Sequence, residues 1–439
     1  GRISYNYNDR YLLYATMRAD GTSKYQEKWG YFPAVGAGWV VSEENFMSDF
    51  GGIDFLKLRA SWGRLGNDKI EATSGANTLT LPTTAIDGTL VTGSISELTY
   101  GLLRWELTEE WNVGLTTRIL NNRLSLDADY YIRDSKDAAI PVRILTGDTG
   151  IRSQGVIRNS GFEFALNWND NLANNLTYNI GVNFATLKNE ARDLYGLLYI
   201  DGGQAEFLQR TRVGDPLLAF FGYETVGVYQ NTAQIEADPI ATALNDADAE
   251  GDAIVPGDFI FKDTNGDGAI TGDDRVILGS YLPSFTYGVN LGAAYKNFEL
   301  SVNMMGQTGN KILNRKRGEM IWTPDGNMDA DLAKNRWHGE GTSNKYPSSA
   351  GLRKGWNQKM SNYFVEDGDF FRIQNVTLAY NLQGERIGNN LPDARISFTA
   401  ERPLTVFNYN GFNPEVSDGV DTQTYPIPAI YTVGLSVKF

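Results

Sequence analysis

Apolar residues recur at every second position over long stretches of this chain. In Arg123–Arg133, Leu124, Leu126, Ala128, Tyr130 and Ile132 fall on one face. Ser125, Asp127, Asp129, Tyr131 and Arg133 fall on the other. Leu176, Tyr178, Ile180, Val182 and Phe184 alternate in the same way with Thr177, Asn179, Gly181, Asn183 and Ala185. Phe162, Phe164, Leu166 and Trp168 alternate with Glu163, Ala165 and Asn167, and Trp111, Val113 and Leu115 with Asn112, Gly114 and Thr116. Tyr431, Val433, Leu435, Val437 and Phe439 close the chain with the same rhythm. Period two means extended strands with one apolar and one polar face.

This rhythm predicts about fifteen strands, near 1–7, 10–20, 31–42, 54–66, 107–119, 123–133, 159–169, 176–187, 205–213, 217–230, 283–296, 298–307, 369–382, 394–408 and 427–439. Strands of soluble sandwiches run about 5–6 residues, whereas several of these runs reach the roughly 9–11 residues of a tilted membrane strand. The fold expected is therefore all-β, a transmembrane antiparallel β-barrel with long extracellular loops. Charges such as Asp127, Asp129 and Glu163 lie mid-strand on the polar face, which suits a wet or plugged lumen.

Links of two kinds alternate along the chain. Asn8-Asp9, Asn121-Asn122, Gly214-Asp215-Pro216 and Lys296-Asn297 are tight links built largely from turn formers. Long links fall near 67–106, 134–158, 231–282, 308–368 and 409–426. With the C-terminus in the periplasm, every long link falls outside the cell and every tight one inside. An odd strand count and an abrupt start in a strand lead to the expectation that residues 1–439 are the C-terminal part of a longer barrel protein. On that reading an N-terminal plug and the first strands lie upstream.

Composition narrows the picture. No run of about 18 apolar residues offers a membrane helix, which does not bear on barrel strands. The chain has 23 Tyr, 21 Phe and 9 Trp, enough for interfacial girdles, sugar-binding loops or a core, and no Cys, so disulfides and thiolate metal sites are excluded. The formal charge of −14 argues against nucleic-acid binding.

One segment carries metal chemistry. Asp263-Thr264-Asn265-Gly266-Asp267-Gly268-Ala269-Ile270-Thr271-Gly272-Asp273-Asp274 has the spacing of a calcium loop of the EF-hand type. The expected oxygen ligands are Asp263, Asn265, Asp267, the Ala269 carbonyl and Asp274, with Gly268 at the sharp turn. Ile270 stands where such loops anchor inward, and Thr271 is a further donor, direct or through water. Asp in place of Glu at the twelfth position shortens one arm, and no helical flanks are evident. A turn rich in Asp, Asn and Gly that binds nothing is the alternative.

Catalytic constellations are missing, so no enzyme is expected. His338 is the one histidine, which excludes a multi-His metal site and leaves a loop residue beside Trp337. Glu109-Glu110 and Asp273-Asp274 are sequence neighbours, not the facing carboxylates that glycoside hydrolysis needs. There is no phosphate-cradling Gly loop and no nucleophile elbow. Trp29, Trp322, Trp337 and Trp356 sit in or beside outer loops, as substrate-stacking rings or as local packing.

Several blocks, in order, resemble a family. They are Tyr11–Ser23, Trp29–Trp39, Leu56–Gly63 with Gly66-Asn67, Trp105-Glu106 and Asn159–Glu163. Val213–Pro216 follows, with Gly222-Tyr223 and Gly227–Gln230, then Pro256-Gly257-Asp258, Asp263–Gly268 and Phe370–Leu378. Together they resemble the SusC/RagA-type TonB-linked outer-membrane transporters of Bacteroidetes. The aromatic closing strand is similar to an outer-membrane assembly signal. The resemblance implies a 22-stranded barrel with a plug, energised by TonB-ExbB-ExbD through the N-terminal part missing here. It also implies a SusD-like surface lipoprotein as lid, contact with membrane lipid and lipopolysaccharide, and import of oligosaccharides or peptides. The alternatives are a structural or adhesive outer-membrane barrel and a soluble calcium-dependent carbohydrate-binding β-protein.

Overall fold

A computed structural model describes residues 1–25, 27–48, 51–69, 78–80, 83–86, 89–92, 97–99, 104–143, 149–153, 155–172, 175–204, 207–247, 253–315, 330–349, 355–383, 392–422 and 424–438. Its dominant feature is a 14-stranded sheet. Thirteen strands follow one another in chain order: β1 (Arg2–Tyr7), β2 (Tyr11–Gly21), β3 (Trp29–Val40), β4 (Ile53–Asn67), β5 (Glu106–Ile119), β6 (Leu124–Lys136), β7 (Val156–Leu172), β8 (Leu176–Thr186), β9 (Phe285–Tyr295), β10 (Phe298–Thr308), β11 (Phe370–Leu382), β12 (Asp393–Phe407) and β13 (Ile430–Lys438). The remaining strand, Lys188–Asp193, continues β8 past Leu187 and pairs with the first residues of β7. Each successive pair in this meander is antiparallel, and β1 and β13 are not bonded to each other, so the sheet is open.

The alternation read from the sequence fixes what each face carries. Across the sheet, Trp39, Leu58, Leu115, Ala128, Phe164, Phe184 and Tyr287 stand opposite one another in register. A second apolar row joins Leu166, Val182, Val289 and Met304. Leu13, Val35, Val113, Phe162, Leu300 and Phe398 on this face are all exposed. The polar face has rows of its own, such as Ser125, Asn167, Gly181, Asn290, Asn303 and Asn375. A one-residue register slip would exchange the two faces, so the register is strongly specified. The tight links at Asn8-Asp9, Asn121-Asn122 and Lys296 turn with positive φ, which Asn and Asp tolerate better than most residues.

Two expected barrel strands lie elsewhere. The segments predicted at 205–213 and 217–230 fold outside the large sheet. Phe207–Arg212 and Ala219–Gly222 join Tyr199–Gln204 and Val276–Gly279 in a separate four-stranded sheet, and Thr225–Val228 pairs with Phe259–Phe261. The physical reason is burial on both faces: all four residues of Ala219–Gly222 are buried, which a wall strand with a wet side does not allow. The consecutive Phe220-Phe221 breaks the period-two pattern and was the sequence signal for this. Gly214-Asp215-Pro216 is a turn as expected, but it serves this small sheet. Two adjacent strands leave the count together, so the inside–outside alternation of the other links is preserved.

The largest buried hydrophobic cluster among the described residues sits in the links outside the large sheet, which together form a cap; smaller clusters form around Phe32 and Trp105 and around Ile157 and Leu194. Phe207, Phe220, Phe259, Phe261, Leu313, Leu332, Tyr363 and Phe364 pack together from the links after β8 and β10. Val420, from the link after β12, packs against them. The motif Pro256-Gly257-Asp258 locks the cap. Gly257 takes a φ of +97°, and Asp258 is fully buried, accepting from the Val255 amide at 2.9 Å and the Asn357 side-chain amide at 2.8 Å.

Candidate functional site

The predicted calcium loop folds as a closed turn on the rim of the cap. Asp263 accepts from the Gly266 amide at 2.7 Å and the Gly268 amide at 2.9 Å. Asn265 Oδ1 accepts from the Asp267 amide at 2.9 Å, and Asp267 Oδ1 from the Ala269 amide at 2.9 Å. Gly266 and Gly268 both have positive φ, 76° and 81°, so the turn needs residues without a β-carbon. Ile270 is buried in the cap core, as the spacing predicts. The Thr271 hydroxyl caps the short helix Gly272–Asp274, accepting from the Asp273 amide.

Asp274 closes the loop from below. It is fully buried, with Oδ1 accepting from the Thr264 amide at 2.9 Å and Oδ2 from the Thr271 amide at 2.7 Å. Burial pushes its carboxyl up, but the amides of Thr271, Thr264 and Asn265 outweigh that and hold it below the usual aspartate value. Its carboxyl also lies within hydrogen-bond reach of Asp263. Two facing carboxylates are stable with a proton or a cation between them. Among the described residues no group of three or more His, Cys, Asp or Glu side chains forms a metal cluster. The loop's side-chain oxygens are instead a facing pair at its closure, Asp263 and Asp274, with Asn265 and Asp267 bonded to each other beside them. Such oxygen donors fit a hard cation of the calcium class.

On the polar face of the sheet, Arg59 of β4 reaches across β5 to Asp129 of β6. Its Nε donates to Asp129 Oδ1 at 3.2 Å, and its guanidinium also contacts Thr116 and lies 3.6 Å from Asp127. Thr116 in turn donates to Asp127 at 2.6 Å. The two mid-strand aspartates are thus neutralised where they stand, by a residue whose place on the polar face follows from the same alternation. Further along, Asn179 and Asn183 lie over Gly292 and Gly288 of the next strand, and Asn303 donates to Asn375 at 2.7 Å.

The loop tryptophans divide. Trp356 donates to the Phe259 carbonyl at 2.9 Å, and Trp337 donates to Gln230 at 3.3 Å; both pack against the cap core. Their role is packing. Trp29 is 62% exposed at the start of β3 and stays available for contact, and Trp322 lies outside the described residues, as does Phe439. His338 is an exposed loop residue whose Nδ1 lies 3.0 Å from the Arg336 carbonyl. Glu109 and Glu110 point to opposite faces and are tied up separately, Glu109 by Arg64 and Lys136 and Glu110 by Arg133.

Two features have no counterpart in the sequence reading. Lys359 is packed against the rings of Trp356, at 3.9 Å, Tyr223 and Phe261. Burial, with a smaller push from Arg275, lowers its amine to about 8. The other is a cleft of about 500 Å³ in the cap, lined among others by Asn344, Tyr346, Asn362, Glu366 and Asn408. Its walls come from separate links, so no local motif announces it.

Comparison with known proteins agrees with this architecture. A family model described as TonB dependent receptor-like, beta-barrel matches residues 1–305. The chain is 30% identical to TonB-dependent receptor P3 of Formosa agariphila, over 100% of this chain and 45% of the relative. It is 27% identical to TonB-dependent receptor SusC of Bacteroides thetaiotaomicron, over 100% of this chain and 43% of the relative. The chain therefore spans about half the length of these relatives. A solved structure of the RagAB peptide importer in its closed-closed state superimposes with a TM-score of 0.79 at 22% identity, covering 100% of this chain and 47% of that one, a likeness of fold. The chain belongs to the TonB-dependent receptor-like β-barrel family, and its sheet is a stretch of outer-membrane barrel wall with the apolar face toward lipid and the cap outside the cell.

Proposed function

We propose that the parent protein is an outer-membrane nutrient importer of the SusC type. This chain supplies barrel wall and extracellular cap, a SusD-like surface lipoprotein covers the mouth, and TonB-ExbB-ExbD energises entry of an oligosaccharide or peptide. The observation that carries the reading is the joining of a family-matched wall to a cap with a core of its own. Three separate links fold together at the outer end, where a structural barrel needs only short loops. The barrel provides a shaped path and a gate; no bond is made or broken.

The test is purification of the parent protein from its native outer membrane, with mass spectrometry of what accompanies it, and uptake assays with and without TonB. A co-purifying SusD-like lipoprotein and TonB-dependent uptake are expected. Absence of the lipoprotein together with uptake indifferent to TonB would move the assignment to a structural or adhesive barrel.

Calcium is a second element of the proposal. The 263–274 loop would hold the ion with Asp263, Asn265, Asp267, the Ala269 carbonyl and Asp274, and the ion would neutralise the facing carboxylates of Asp263 and Asp274. Its contribution is rigidity of the outer rim. The loop adjoins strand Val276–Gly279 of the cap sheet and anchors through Ile270, so its order passes to the cap core.

A further inference from the structure

Among the described residues, two neighbouring cations of the cap stand without a counter-charge. Lys359, from the link after β10, holds its ammonium 3.9 Å from the centre of the Trp356 ring, 5.6 Å from that of Tyr223 and 6.0 Å from that of Phe261. Arg275, from the link after β8, lies 5.5 Å from the centre of the same Tyr223 ring, and its Nε donates to the Tyr223 hydroxyl at 3.3 Å. Elsewhere such cations meet carboxylates, as Arg158 meets Asp134 and Arg210 meets Asp201. Around this pair the acids are engaged by other groups. Glu224 holds Lys262 at 2.7 Å, Asp263 accepts from the Gly266 and Gly268 amides, and Asp274 accepts from those of Thr264 and Thr271. Asp273 is exposed and makes no ion pair with Arg275 among the described residues.

The rings do not supply the missing charge. A ring face attracts an ammonium through its quadrupole but leaves the net charge in place. Burial and the repulsion of Arg275 depress the Lys359 amine, with no carboxylate to offset them. What the three polar side chains offer is donors. The ammonium carries three N–H groups, and the guanidinium keeps its two –NH₂ ends. Tyr223 accepts from Arg275, which leaves its O–H proton to donate. Tyr223 and Phe261 are buried, and Trp356 is pinned by its bond to the Phe259 carbonyl, so the floor beneath the cations is fixed. Lys359 and Arg275 are only half-buried, so solvent reaches them.

We infer that Lys359, Arg275 and Tyr223 form a binding site for a doubly charged oxyanion of the phosphate or sulfate class, bridging two links of the cap. Two uncompensated positive charges match two negative ones; chloride or a single carboxylate would leave one cation unpaired. Charge-assisted bonds from Arg and Lys are the strong contacts to such oxyanions. Bound there, the anion ties the link after β8 to the link after β10, beside the 263–274 loop. The site stands apart from the importer reading, because it needs neither lid nor TonB.

The test uses the whole protein in detergent, in buffer free of phosphate and sulfate, at neutral pH and constant ionic strength. Sulfate, inorganic phosphate, methyl phosphate, acetate and chloride are titrated while resistance of the cap to proteolysis is followed. Sulfate and inorganic phosphate should protect the parent, and acetate and chloride should not. Methyl phosphate separates the sources: protection by it shows that an ester on a larger molecule also fits, and its failure assigns the site to the free ion. Lys359→Met and Arg275→Gln should each raise the protecting concentration about tenfold, the loss of one charge-assisted contact. Should either change unfold the cap, Tyr223→Phe keeps the ring, removes a donor and should weaken protection in the same direction. The inference is overturned if sulfate and phosphate protect no better than acetate, or if the folded variants respond like the parent.

Discussion

The carboxylate of Asp129 lies over the α-carbon of Gly114, in the space that a β-carbon at that position would occupy. The two residues are directly paired across β5 and β6, and the vacancy at Gly114 lets Asp129 reach Arg59 one strand further on. Gly114→Ala should therefore displace Asp129 and cost about 1–3 kcal/mol, the usual cost of overpacking. Gly114→Ala combined with Asp129→Ala should cost less than the two changes summed, because the clash with the carboxylate vanishes while the 2.9 Å approach to the Ala128 carbonyl oxygen remains. Heat-modifiable gel mobility and thermal unfolding in detergent measure both, and simple additivity of the two changes would refute the coupling.

Calcium removal should loosen the outer rim and leave the wall intact. Chelation, or Asp263→Ala with Asp267→Ala, should raise proteolysis around residues 259–279 and lower metal content by one ion per protein. Unchanged metal content and unchanged cleavage in the double variant would reject the site.

Asp274 makes the same rim sensitive to acid. Its folded-state value is depressed, so it contributes stability that is fully present above the ordinary aspartate value near 3.8 and lost as pH falls through the lower folded value. Asp274→Asn should remove that acid-dependent part and cost about 1.5–3 kcal/mol at neutral pH, typical of hydrogen bonds to a buried charge. Hydrogen exchange of the Thr264 and Thr271 amides against pH reads it directly. A profile shared by parent and variant would exclude Asp274 as the source.

Lys359 works in the opposite sense. Its folded value of about 8 lies below the ordinary 10.5, so burial of the ammonium opposes folding at neutral pH. Between those two values the unfolded chain binds the extra proton, and cap stability rises with pH. Lys359→Met keeps the packing against Trp356 and removes the charge. The cap of that variant should resist proteolysis better at pH 7, with the gain shrinking above pH 8. A constant difference at all pH values would mean that the charge is not its origin.

Trp356 and Trp29 should behave as opposites. Trp356→Ala removes a packed ring and a bond to Phe259, and should destabilise the cap by about 3–5 kcal/mol. Trp29→Ala removes an exposed ring and should leave unfolding unchanged, so any effect on lid affinity or uptake is then a contact effect. Equal losses of stability in both would contradict the division.

The wall was legible in the chain itself. Alternation of the kind seen at Leu124–Arg133 sets strand, face and register at once, because a slip of one residue would put Asp127 and Asp129 in lipid and Leu126 in the lumen. The tight links were legible too, since Asn8-Asp9 and Asn121-Asn122 carry the positive φ their turns require. The 263–274 loop showed its spacing, its glycines and its anchor Ile270 because all of its donors are local. The cap was decided only by tertiary structure. Phe220, Phe259, Phe364 and Val420 are far apart in sequence and acquire meaning only when three links converge, so 217–230 could pass for a wall strand until its second face was seen to be buried. The same convergence turned Trp337 and Trp356 from candidate contacts into packing against the core, made Lys359 a partly buried amine, and brought Asn344, Asn362 and Asn408 to one cleft. Local periodicity records which side of an element is wet; it holds no record of which distant loop will cover it.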